Sequence, residues 1–94
     1  MKIYIERLKF SLLETIWVYE NRKMLPQHAE SFKESGSLIP LHVIESTLKE
    51  LNAEGLIDGT EMQDKGYTVI GITEAGRESL KSSGRLFRLK TQYK

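Results

Sequence analysis

The chain has no cysteine at all. That excludes disulfides, thiolate nucleophiles and zinc sites built on cysteine, and it fits a reducing compartment. Histidine is scarce too: His28 and His42 fall in different predicted elements, and no close acidic ladder joins them into a metal geometry, so no metal is expected. Uninterrupted apolar runs are only a few residues long, far below the ~20 needed to cross a bilayer as a helix. The opening residues, Met1 to Arg7, are charged and carry no apolar block or small-residue cleavage pattern, so no secretion signal is read there. These absences together lead to the expectation of a soluble, cytoplasmic protein that does not engage a membrane.

Catalytic signatures are missing as well. No carboxylates pair at a defined separation, no serine or threonine sits in a recognisable nucleophile–base arrangement, and the glycines stand at element ends rather than in a phosphate-binding loop. The expectation is a protein that is not an enzyme and holds no cofactor.

What is present is a 94-residue chain, 39% hydrophobic and 29% charged. This is the composition of a globular domain with one core. The net charge of +1 is unevenly spread, because residues 77–94 carry six Lys/Arg against one acid while residues 1–76 are net acidic. The cationic surface is therefore concentrated at the C-terminus.

Periodicity gives the order of elements. Met1–Ile5 is either a short strand or the lead into a first helix. From Ile5 to about Glu20, Ile5, Leu8, Leu12 and Ile16 form a helical stripe widened by Leu13 and Trp17. Pro26 suits the first turn of a second helix reaching about Ser35, with Ala29 and Phe32 on one face and Gly36 as its stop. A third helix is predicted from about Pro40, with Ile44, Leu48 and Leu51 in its stripe and Gly55 just beyond its end. The period then shortens. Leu56–Met62 and Tyr67–Ile72 have the β-branched and aromatic content of strands, joined by a turn at Gln63–Gly66. Thr73 can cap a last helix running through Leu80 to about Lys81. Beyond Ser82–Gly84 the chain either resumes an amphipathic helix or remains a tail.

The fold class expected is α+β: a compact winged helix-turn-helix with three N-terminal helices, a two-stranded wing, room for a third short strand, and a C-terminal helix. Residues 1–82 form the domain and residues 83–94 a basic extension, helical or involved in dimerisation.

Two stretches carry a resemblance. Leu48-Lys49-Glu50-Leu51-Asn52-Ala53-Glu54-Gly55-Leu56-Ile57 looks like the end of a recognition helix entering the first wing strand. Gly71-Ile72-Thr73-Glu74-Ala75-Gly76-Arg77-Glu78-Ser79-Leu80 is similar to the strand-to-helix passage after the wing. In this order and separation they resemble the winged helix-turn-helix modules of the MarR and PadR families of transcriptional regulators.

That resemblance implies a sequence-specific, double-stranded DNA-binding regulator whose third predicted helix enters the major groove. The residues offered there are His42, Glu45, Ser46 and Lys49. Ser46 can hydrogen-bond a base edge or phosphate, Lys49 can reach guanine or the backbone, Glu45 can accept from cytosine, and His42 can donate to phosphate. This helix has no arginine, so it lacks the rigid bidentate donor that guanine reading favours. At the wing, Gln63, Lys65 and Tyr67 are candidates for backbone or minor-groove contact, beside the acids Glu61 and Asp64. The basic C-terminus, with Arg85 and Arg88 foremost, offers salt-sensitive phosphate contacts. A homodimer is expected, through Leu86, Phe87, Leu89 and Tyr93 or through Phe10 and Trp17. The alternatives are a winged-helix protein–protein interaction module, with a protein partner, and a non-specific architectural DNA binder.

Overall fold

The computed structural model describes residues 2–33, 39–64, 66–85 and 90. A 20-residue helix, α1 (Lys2–Asn21), opens the chain, so the first residues lead into the helix instead of forming a strand. No proline or glycine interrupts it, and Leu8, Leu12, Leu13, Ile16 and Trp17 are buried along its inner face. At its end the Asn21 side chain donates to the Trp17 carbonyl (2.8 Å), and the Met24 amide donates back to the Tyr19 carbonyl (2.8 Å).

The largest departure from the sequence reading follows. Where a second helix is expected over 26–35, the chain forms a two-residue strand, β1 (Gln27–His28), and a single 3-10 turn, Ala29–Phe32. Gln27 pairs antiparallel with Val69 and His28 with Thr68. The His28 Nδ1 and Thr68 Oγ1 atoms lie 2.8 Å apart across this pairing. Extending these two residues satisfies the edge of a neighbouring strand, an outcome that local helix propensity does not anticipate. The two apolar residues of the segment, Ala29 and Phe32, are three apart and both buried, which suits the three-residue period of a 3-10 turn. Phe32 packs against Tyr19 with ring centroids 5.4 Å apart.

The second helix, α2 (Leu41–Ala53), starts from Pro40, whose carbonyl accepts from the Ile44 amide (3.3 Å). Ile44, Thr47, Leu48 and Leu51 are its buried face. The helix closes on Gly55, which has a φ of +77° and lets the Leu56 amide reach back to the Leu51 carbonyl (3.0 Å).

The hairpin β2 (Ile57–Met62) and β3 (Gly66–Ile72) comes next, and the sheet order is β1-β3-β2, all antiparallel. The sheet thus has a third short strand, β1, which lies in the segment expected to be helical rather than at Met1–Ile5. Register shifts between Asp58, opposite Gly71, and Gly59, opposite Val69, so Ile70 is the extra residue of a bulge. It stands 53% exposed while its neighbours Val69 and Gly71 are buried.

The last helix, α3 (Glu74–Ser82), is capped as the sequence predicts: Thr73 Oγ1 accepts from the Gly76 amide (3.0 Å) and donates to the Gly55 carbonyl (2.7 Å). One side chain thereby ties the start of α3 to the end of α2. Gly76 is needed for space, since a Cβ there would lie 2.2 Å from the Leu56 carbonyl oxygen. The core lies between the three helices and the inner face of the sheet, centred on Leu13, Ile16, Ile44, Leu48, Ile57, Val69 and Leu80. The result is a small α+β domain, three helices around a short antiparallel sheet, of a type compatible with a winged helix. No helix among the described residues is long and apolar enough to cross a membrane.

Candidate functional site

Burying Ile44, Leu48 and Leu51 turns the opposite face of α2 outward. His42, Ser46 and Lys49 are all exposed there, at spacings of four and three, and Glu45 is half-buried beside them. These four sequence-predicted residues therefore share one region of one helix.

The hairpin stands next to that region. Lys49 Nζ lies 2.7 Å from Glu61 Oε1 on β2. The hydrogen bond to Glu61 is the main reason that the Lys49 ammonium is held protonated beyond the ordinary lysine range. Glu45 also leans towards the hairpin, with Oε2 3.9 Å from where a Cβ on Gly66 would stand. Gln63 is exposed at the tip. Lys65, the other tip residue predicted to meet backbone, lies outside the described residues, as does Arg88.

Tyr67 has a different placement. It is 4% exposed and belongs to the core, with its ring laid over Gly59 of β2. A Cβ on Gly59 would meet the Tyr67 hydroxyl at 2.4 Å, so the small residue on β2 creates the space that the ring fills. Among the described residues the buried hydroxyl has no hydrogen-bond partner; the Asn52 side chain is near enough to favour its ionised form but does not complete a bond. Burial dominates, and pushes the phenol above its usual range. The side chain expected at sugar or backbone is thus turned inward, and Tyr67 serves the packing of the hairpin against α2.

Two of the described C-terminal cations, Arg85 and Arg77, are attached elsewhere. Arg85 Nε lies 3.2 Å from Glu14 Oε1, and its guanidinium sits 4.0 Å from the centroid of Phe10, both on α1. Arg77 pairs with Glu20 near the end of α1. Lys9 bridges Glu50 (3.0 Å) and Glu54 (2.7 Å) at the end of α2; its hydrogen bonds to Glu54 and then Glu50 raise its affinity for the proton. Among the described site residues, His42, Glu45, Ser46, Lys49 and Gln63 therefore lie on α2 and the hairpin, whereas Arg85 is anchored on α1.

Among the described residues no group of three or more histidine or acidic side chains is placed to hold a metal. His28 is engaged with Thr68, while His42 is exposed on α2.

Two features escaped the sequence reading. Glu61 was legible only as one acid in a mixed hairpin, since its role as partner to Lys49 depends on how the sheet docks. The second is a basin at the end of α1 lined by Trp17, Glu20, Asn21, Lys23, Arg77 and Lys90. Its cations come from three separated parts of the sequence. No protein-family model, no curated protein and no solved structure matches the chain.

Proposed function

We propose that this domain is a sequence-specific double-stranded DNA-binding transcriptional regulator of winged-helix type, akin to the modules of MarR and PadR regulators, acting in the cytoplasm as a homodimer. The observation that carries the reading is the outward stripe His42–Ser46–Lys49 on α2, flanked by a hairpin joined to it through Lys49 and Glu61. An exposed helix beside a β-hairpin is the shape that lays side chains into a major groove and brings a wing to the adjacent backbone. In this arrangement Ser46 reads base edges, Lys49 reaches guanine and the adjoining phosphate, His42 meets phosphate, and Gln63 meets backbone at the wing. Arg85 adds phosphate attraction from α1, with Arg88 in the adjoining extension.

A second reading is favoured by a specific observation. Lys49, Arg77 and Arg85 are each paired with a carboxylate, on Glu61, Glu20 and Glu14. A surface whose cations are balanced in this way suits a protein-interaction module better than a strongly attractive DNA face. Selection from a randomised duplex library at several salt concentrations, with a light-scattering mass, separates the two. Enriched paired half-sites and a dimer mass support the regulator. Absence of binding at low salt removes it in favour of the interaction module, and binding without enrichment indicates an architectural DNA binder.

A further inference from the structure

The basin at the end of α1, about 480 Å³ in volume, is lined by three cationic side chains and one carboxylate. The buried Trp17 also lines it. The carboxylate is already committed: Glu20 accepts from Arg77 through Oε2 and from the Ile72 amide through Oε1 (3.3 Å), which pins Arg77 to the junction of α1, β3 and α3. Lys23 and Lys90 are exposed and form no ion pair with a described residue.

Cations at a helix C-terminus often serve its unsatisfied carbonyls. Here that role is filled. The Trp17 carbonyl accepts from Asn21 Nδ2, Val18 from the Arg22 amide, Tyr19 from Met24 and Glu20 from Lys23. The lysine side chains are thus left over from the capping of the helix. Lys23 also holds a left-handed backbone conformation, with a φ of +56°, the only non-glycine among the described residues to do so. Glycine is the residue that takes this position without strain. A lysine kept there at conformational cost is a reason to look for work done by its side chain.

We infer that Lys23, Arg77 and Lys90 form an anion site for a phosphate group. Arg77, oriented by Glu20, supplies a planar donor, and the two lysines close over the ligand as point charges. The ligand chemistry is a phosphate monoester, a diphosphate or a backbone phosphodiester. This inference stands independently of the reading of α2 as a DNA-contacting helix.

The test is a titration of the full chain with sodium pyrophosphate, followed in 1H–15N spectra at the Trp17 indole and Arg77 Nε, against sodium chloride at matched ionic strength. Saturable shifts specific to pyrophosphate are expected, and the double variant Lys23→Gln/Lys90→Gln should weaken them about tenfold, as the loss of two exposed charge contacts would. Lys23→Gly, which removes the charge while relaxing the backbone, should weaken binding in a protein that is no less stable. Shifts equal to those with chloride, or unchanged in both variants, overturn the inference. A short DNA duplex added at saturation identifies the source: displacement of pyrophosphate points to backbone phosphate, and co-occupancy to a free phosphoester.

Discussion

Lys49 on α2 and Glu61 on β2 form an ion pair at 2.7 Å, joining the helix proposed to read DNA to the strand that carries the wing. The pair spans the two parts, and it also sets a negative charge beside the lysine expected to meet DNA. Glu61→Gln should therefore raise affinity for any duplex and make its salt dependence steeper, by about 0.9 in log–log slope for one cation freed to contact phosphate. Fluorescence anisotropy across a salt series measures both. An unchanged slope would mean that Lys49 does not meet phosphate.

Tyr67 gives a prediction about stability. Its hydroxyl is buried without a partner among the described residues, while its ring fills the space over Gly59. Tyr67→Phe keeps the ring and removes the unsatisfied group, so a gain of about 1 kcal/mol is expected. Urea denaturation checks it, and a loss of similar size would show that the hydroxyl is usefully bonded.

The same residue makes the domain sensitive to alkali. Tyr67, Lys49 and Lys9 all hold their protons more tightly in the folded chain than their usual values of 10.0 for tyrosine and 10.5 for lysine. A group with a raised folded pKa contributes its stability in full below the unfolded value and loses it as pH rises through the folded one. Stability should therefore be flat with respect to these groups up to about pH 9 and fall from about pH 10 upward. Tyr67→Phe should make that fall shallower, as thermal denaturation at stepped pH would register.

Much of this architecture was legible in the sequence. The α1 stripe from Leu8 to Trp17, the α2 stripe, the stop at Gly55, the two strands and the Thr73 cap each follow from local chemistry, and each is found in the structure. The segment after Pro26 was not legible, because its helical content gives way to pairing with β3, forty residues away. The burial of Tyr67 has a related cause. A tyrosine beside a turn looks like a surface residue until Gly59, diagonal to it on the neighbouring strand and two residues from its register partner Glu61, opens room for its ring. On α2 the outward residues could be named from spacing alone, whereas the partner that neutralises Lys49 comes from the docking of the sheet.

Two backbone positions can be tested directly. Gly76→Ala places a Cβ against the rigid Leu56 carbonyl and should destabilise the domain by about 2–3 kcal/mol. Lys23→Gly should act in the opposite direction, since relief of a left-handed lysine stabilises by about 1 kcal/mol. Denaturant midpoints of the two variants against the parent protein measure both signs.

The outward face of α2 is the surface proposed to read DNA sequence. The most direct measurement compares the parent protein with Ser46→Ala and Lys49→Ala on a duplex enriched from a random library and on a scrambled duplex of the same length, at a fixed salt concentration. Each substitution should reduce discrimination between the two duplexes by about 1–3 kcal/mol, mainly through weaker binding to the enriched one. Discrimination that survives both substitutions unchanged, or the failure of the parent protein to enrich any duplex, would contradict this proposal.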